Sequence, residues 1–318
     1  MHLGSNSRNR ASGGRGDGST TIGGVTSHAA ALAELDGLAV LKGHGTGNDF
    51  VLVPDADGTH PLTPAQVRAL ADRRFGVGAD GILRVARTKD SPEVADQAAH
   101  ADWFMDYRNG DGTTAEMCGN GARVFARYLV DSGLESGTSF SIATRGGARA
   151  VRIEADGDVT IDMGVATGPM LRAMPVVSVG PESWNATAVN VPNPHAVVFL
   201  DDAEALDALD LTKAPQAGPP AMFPDGVNVE FVVRLGAPDE RHVRMRVHER
   251  GVGETLSCGT GACAVMVAAA GRDQAPAEVA YTVDVPGGTV VVTRRADEHI
   301  ELRGPAEIVA RATITSAP

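Results

Sequence analysis

Cysteine occurs three times in this chain of 318 residues, and two of the three share one setting: Cys118-Gly119-Asn120-Gly121-Ala122 and Cys258-Gly259-Thr260-Gly261-Ala262. Each phrase is a glycine-spaced turn followed by a run of helical character, Arg123 to Val130 in the first and Cys263 to Ala270 in the second. A thiol so placed lies at a helix N-terminus, where unpaired N–H groups and the positive end of the helix dipole favour a thiolate and any anion beside it. Inverting a stereocentre that bears an acidic hydrogen needs a base on one face of the carbon and an acid on the other. One thiolate and one thiol meet that need in either direction by exchanging roles. A free thiol titrates near about pH 8.5, and a helix N-terminus can bring it toward neutrality, where both forms are accessible.

The elements that carry the two cysteines come from a duplication. Sliding the chain by 140 residues puts Met105 on Met245, Asn109 on Glu249 and Cys118 on Cys258, and a slide of 141 puts Gly146-Gly147 on Gly287-Gly288. A repeat this long is a duplicated domain, because solenoid units run roughly 20 to 50 residues. In the first copy, Leu38 to Val53 reads as strand, glycine loop and strand. Thr63 with Pro64 opens a helix that Gly76 is expected to close. Gly76 to Gly81 is a loop and Ile82 to Ala86 a strand. Thr88 to His100 has no clear period and reads as a surface excursion. Asp102 to Arg108 is a strand that leads through the Asn109-Gly110-Asp111-Gly112 turn to Cys118. Three strands separated by hairpin turns follow the first helix, up to Met163. The second copy repeats this order from the Asn190 to His195 loop onward, and Ala306 to Thr315 is a last alternating apolar stretch. Two such domains facing each other across a pseudo-twofold axis would bring the thiols into one cleft.

The balance of 28 Lys+Arg against 40 Asp+Glu, a net charge of −12, has the wrong sign for broad phosphate-backbone binding, so nucleic acid is not an expected partner. Three cysteines do not make a disulfide scaffold, and no Cys/His ligand spacing or pyridoxal site is visible, so neither a metal nor another cofactor is expected. A reducing cytoplasm fits this usage. No run has the length of a membrane span. Residues 1–36, rich in Gly, Ser and Arg, read as a flexible extension ahead of a first domain at 37–163 and a second at 164–304, with 305–318 returning to the first.

Together with the cysteine blocks, Gly45-Thr46-Gly47-Asn48-Asp49-Phe50, Asn109-Gly110-Asp111-Gly112, Asn193-Pro194-His195, Gly226-Val227-Asn228 and Glu249-Arg250-Gly251-Val252-Gly253-Glu254-Thr255 resemble the diaminopimelate epimerases. The resemblance runs from about Leu38 to the C-terminus. It implies an α/β fold of the α+β type: two pseudo-symmetric domains, each a curved, mostly antiparallel sheet around a central helix. It implies cofactor-independent interconversion of LL- and meso-diaminopimelate, for lysine and peptidoglycan precursor synthesis, by a cytoplasmic, homodimeric enzyme. Carried over by position, Cys118 and Cys258 are the acid/base pair. Asn48, Asn109, Asn193, Asn228 and Arg250 match residues that hold the distal amino-acid end of the substrate. Gly119, Asn120, Gly259 and Thr260 match those around the reacting carboxylate, and His195 and Glu249 match polar groups beside the reacting centre. Gly81 stands where many family members carry glutamine.

Blander readings stand beside these. The two cysteines are buried core thiols, or a disulfide, in one alternative; Cys263, inside an Ala/Val/Met helix, reads as core. Asn109 and Asn228 can each serve only to fix a turn. The rival activities are a two-thiol racemase acting on proline or hydroxyproline, and a non-catalytic amino-acid-binding protein.

Overall fold

The computed structural model describes residues 23–167 and 174–315, with side chains from residue 28 onward. The first half runs α1 (Gly23–Ala33), β1 (Ala39–Gly45), β2 (Asn48–Pro54), α2 (Pro64–Ala71), β3 (Gly81–Arg87), β4 (Trp103–Asn109), α3 (Gly119–Asp131), β5 (Ser139–Ala143), β6 (Arg149–Ile153) and β7 (Val159–Val165). The second runs β8 (Val176–Val179), β9 (Glu182–Asn185), β10 (Thr187–Val191), β11 (Asn193–Phe199), α4 (Ala203–Ala208), β12 (Gln216–Gly218), β13 (Asn228–Leu235), β14 (His242–Glu249), β15 (Gly253–Thr255), α5 (Gly259–Arg272), β16 (Val279–Val285), β17 (Gly288–Arg294), β18 (His299–Gly304) and β19 (Glu307–Thr313).

The two halves share one topology. Strands β2 and β3 pair in parallel, as do β11 and β13; β4 and β5 pair in parallel, as do β14 and β16; the hairpins β5–β6–β7 and β16–β17–β18 are antiparallel. The halves are joined in a single 16-stranded sheet because β7 pairs with β18, with Ile161 opposite Leu302. The chain then crosses over at both ends of this seam. Thr167 bridges to Asn190 on β10, and β19 pairs with β1 in the first half. A separate three-stranded sheet, β12-β8-β9, flanks the second half.

Helices α3 and α5 fill the concave sides of the sheet. Ala122, Val124, Phe125, Ala126 and Leu129 of α3 are fully buried, as are Cys263, Ala264, Val265, Met266 and Ala269 of α5. Helix α5 is apolar on most faces and is enclosed on most, while α3 turns a strong apolar face inward, and the two are the centres of one continuous core. Cys263 is part of it, as its setting implied. Smaller clusters lie under α1 and α2, and between α4 and the small sheet.

Several local expectations need correction. The extension at 1–36 is not uniformly loose: Gly23–Ala33 is helical, with Ala31 and Leu35 buried, because the alanine run has an apolar side that packs on α2. Residues 1–22 lie outside the described part. Helix α2 starts as read, with Thr63 and Gln66 completing a reciprocal capping box worth on the order of 1 kcal/mol. It stops at Ala71, well before Gly76, where Asp72 takes an extended conformation and its carboxylate accepts from the N–H groups of Arg74 and Phe75. The Thr88 to His100 piece forms two 3-10 turns around a buried Val94. The Asn190 to His195 loop is a tight β10–β11 hairpin.

Candidate active site

Both cysteines take the same place in their helices. Cys118 (φ −138°, ψ 120°) and Cys258 (φ −122°, ψ 112°) are N-cap residues, each thiol accepting from the third N–H of its helix: Gly121 at 3.5 Å and Gly261 at 3.3 Å. All three cysteines are free, with Cys118 half-buried and Cys258 and Cys263 buried.

The two helix starts abut. A β-carbon on Gly259 would lie 3.4 Å from the Gly119 α-carbon and 2.9 Å from Leu302 Cδ2; one on Gly119 would lie 2.8 Å from the same methyl. Leu302 sits on the β7–β18 seam, so the glycines next to the cysteines let both helices close onto the join between the halves. Two positive dipole ends therefore converge, and an anion between them meets first-turn N–H groups from both.

Side chains clamp this meeting point. The Asn120 amide donates to Asn48 Oδ1 at 3.2 Å, and to the Ser257 carbonyl at 3.1 Å and hydroxyl at 3.2 Å. Ser257 and Thr46 hydroxyls lie 2.6 Å apart, and the buried Arg123 donates to Thr46 Oγ1 and to the Pro305 carbonyl. Asn48 is thus shared: its oxygen accepts from Asn120 and, at 3.7 Å, from the Cys118 thiol, and its amide donates to Asp80 at 2.7 Å. Asp80 and Asp49 are in turn held by Arg73.

On the other side, Glu249 ends β14 as Asn109 ends β4. Its carboxylate accepts from Thr255 Oγ1 at 2.5 Å and from the Cys258 thiol, while Thr260 Oγ1 lies 3.4 Å from that sulfur. His195 is fully buried, Nδ1 2.7 Å from Glu230 Oε1 and Nε2 3.0 Å from Asn193 Oδ1. The Glu230 carboxylate lies against Gly261, so this pair sits beneath the first turn of α5. Asn228 Oδ1 accepts from the Arg250 N–H, and the Arg250 guanidinium is tied to the Asp225 carbonyl at the edge of a cavity of about 260 Å³ that Asn190, Pro194 and Phe223 also line. Asn109 donates to Thr113 Oγ1 and closes its own turn.

Known proteins can be set against this geometry. The model of the family described as Diaminopimelate epimerase matches residues 40–168 and 187–309. The chain belongs to the diaminopimelate epimerase family. The diaminopimelate epimerase of Streptomyces coelicolor is 56% identical over 286 residues, which are 88% of this chain and 96% of that protein. That of Mycolicibacterium vanbaalenii is 49% identical over 281 residues, 85% of this chain and 94% of its own length. In overall fold the chain is similar to a Bacillus anthracis phenazine biosynthesis protein of the PhzF family (TM-score 0.62, 18% identity, 86% of this chain and 98% of that one). It is also similar to a hydroxyproline epimerase of Agrobacterium vitis (TM-score 0.56, 15% identity, 87% and 92%).

In this member of the diaminopimelate epimerase family, the resting acidity of the thiols departs from the expectation. Burial pushes Cys118 up to about 11, and the Glu249 carboxylate adds to it; the Gly121 N–H opposes both without prevailing. Burial raises Cys258 as well, and Glu249 and Glu230 push the same way. Removing a thiolate from water costs more than a helix N-terminus returns, so burial favours the protonated form of both sulfurs. Burial also raises the pKa of Glu249.

Thr46, Ser257, Arg123 and Glu230 were not singled out from the sequence. Glu230 carried a signal, since it interrupts the apolar run Val229 to Val233 and an acid on a fully buried strand needs a partner. The others meet only through contacts between the halves.

Proposed function

We propose that the chain interconverts LL- and meso-2,6-diaminopimelate without a cofactor, Cys118 and Cys258 exchanging the roles of base and acid. The observation that carries this reading is the meeting of Gly119 and Gly259 over Leu302, with a thiol capping each helix. A substrate carboxylate between the two helix starts accepts from their first-turn N–H groups, and the α-carbon beside it has one sulfur on each face. The α-proton passes to one sulfur as thiolate, charge flows into the carboxylate held by the N–H groups, and the opposite thiol delivers its proton to the other face. Because both thiols rest protonated, one must first give up a proton. Glu249, hydrogen-bonded to Cys258 and made more basic by burial, is the acceptor on that side.

Asn48, Asn109, Asn193, Asn228 and Arg250 hold the distal end in this reading, the amides meeting its ammonium and the guanidinium its carboxylate. Arg250 then exchanges the Asp225 carbonyl for substrate. His195 orients Asn193 and supports the first turn of α5 through Glu230. A homodimer in the cytoplasm is part of the same reading. The test is α-hydrogen exchange in D2O under reducing conditions: deuterium uptake from LL-diaminopimelate and none from L-proline is expected, and the reverse result overturns the assignment in favour of a proline-type racemase.

A further inference from the structure

On the face of the sheet that meets the start of α3, strands β2, β3 and β4 present Asn48 and Phe50, Gly81 and Leu83, and Tyr107 and Asn109. The registers set Gly81 opposite both Phe50 and Asn109. Gly81 brings no side chain to this face, and the ring of Tyr107 fills the space. A β-carbon on Gly81 would lie 2.6 Å from Tyr107 Cε2, 3.4 Å from Cζ and 2.8 Å from the Arg108 carbonyl. The ring is fixed there by an edge contact with Phe50, centroids 6.0 Å apart at 76°, and Phe50 itself packs under Gly121 of α3. Cζ carries the hydroxyl, so the phenol group stands over residue 81, where a longer side chain at that position would reach.

Tyr107 is 9% exposed. Among the described residues its hydroxyl has no hydrogen-bond partner, yet it is not one of the sealed polar atoms. Burial raises its pKa, and the Glu249 and Asp80 carboxylates act in the same direction, so it is a neutral phenol. A buried ring with an unused hydroxyl at the edge of a polar cleft is an arrangement that awaits a ligand group.

We infer that the Tyr107 hydroxyl is a hydrogen-bonding contact for the distal amino-acid end of the substrate, occupying the place that Gly81 leaves without a side chain. This rests on the diaminopimelate reading. The phenol donates to a carboxylate or accepts from an ammonium, and it works beside Asn48 and Asn109 without adding charge to the cleft.

The test is Tyr107→Phe, which keeps the ring and removes one atom. KM for LL-diaminopimelate is expected to rise about 5- to 20-fold, the worth of one hydrogen bond, with kcat changed less than about threefold and the melting temperature unmoved. Two competitive inhibitors locate the contact: L-2-aminopimelate lacks the distal ammonium and L-lysine the distal carboxylate. The variant's loss of affinity is expected to vanish for one of them. An unchanged KM overturns the inference, as does an equal loss of affinity for both analogues and for substrate, which would place the hydroxyl at the reacting end. A wild-type chain that does not turn over LL-diaminopimelate defeats the functional reading itself, and is told apart from either result.

Discussion

Gly119 and Gly259 stand against the same Leu302 methyl, one from each half, with room for no β-carbon at either position. Leu302 is itself fully buried, so it yields only by disturbing the seam. Gly259→Ala is expected to cost about 1–3 kcal/mol by overpacking. It should also lower kcat by up to about 100-fold, because the helix start that aims N–H groups at the carboxylate moves by a fraction of an ångström or more. Gly119→Ala should cost at least as much, since its β-carbon would also lie within 3.1 Å of the Met163 thioether, although that flexible end can give way. Thermal melts and α-hydrogen exchange read both quantities. Wild-type values in both variants would mean that the close approach of the helices is incidental.

The three thiols should separate cleanly. Cys118→Ser and Cys258→Ser each remove one acid/base group and should lower epimerisation by about 10²–10⁴-fold. Cys263→Ala leaves only a small cavity beneath α5, at a cost on the order of 1 kcal/mol, and should keep activity within about threefold. Steady-state rates with LL- and meso-substrate decide it, and equal activity in all three variants would remove the two-base mechanism.

Burial sets a pH dependence with a definite sign. The folded chain holds the Cys118 proton up to about 11, whereas an unfolded thiol releases it near about 8.5. The stability that this preference supplies is therefore whole below about pH 8.5 and lost as pH rises toward 11, a decline on the order of 3 kcal/mol. Urea midpoints of the wild type between pH 8 and 10.5 should fall more steeply than those of Cys118→Ala. Parallel slopes would show that burial does not set the acidity of this thiol.

Glu249 supplies an independent test of the same electrostatics, since it raises both active-site thiols. Iodoacetamide reacts with thiolate, so alkylation of Cys118 and Cys258 in the substrate-free chain should be slow at pH 7–8 and accelerate above about pH 9. In Glu249→Gln the curves should move to lower pH, that of Cys258 furthest, because it bonds the carboxylate directly. A shift to higher pH would reverse the sign of the carboxylate's influence.

Asn120 joins the halves through a single amide nitrogen that serves Asn48 and Ser257 together. Asn120→Asp replaces that donor with a carboxylate facing two acceptors, and should destabilise by about 2–3 kcal/mol while lowering kcat/KM at least tenfold. Asn120→Ala, which only deletes the bonds, should be milder in stability. Chemical denaturation orders the two, and the opposite order would show that Asn120 is not held as a donor.

What was legible in the sequence was local. Glycine spacing after Cys118 and Cys258 writes the N-cap geometry into five residues, and the equal spacing of Asn109 and Glu249 from the cysteines fixes how the two strand ends approach them. Thr63 and Pro64 announced the start of α2. What could not be read was made by distant partners. The Thr46–Ser257 contact and the reach of Arg123 to Pro305 join residues far apart in sequence. The filling of Gly81's space by Tyr107 depends on strand register, and the thiol acidity on burial that no local pattern encodes. Helix α1 was hidden by composition, because its short apolar side follows a polar Gly/Ser/Arg run.

The crossing of strands at the β7–β18 seam bears on ancestry and on dissection. Cut between residues 167 and 174, the N-terminal fragment would lack β19, the partner of β1, and the C-terminal fragment would lack β7, the partner of β18, together with the Thr167 bridge to β10. Each piece would present bare strand edges that only the other covers. A half-length ancestor with the same exchange would have folded only as an intertwined pair, and the duplication that produced this chain would have tied that pair together while freeing its two sides to diverge, one to asparagine and the other to glutamate.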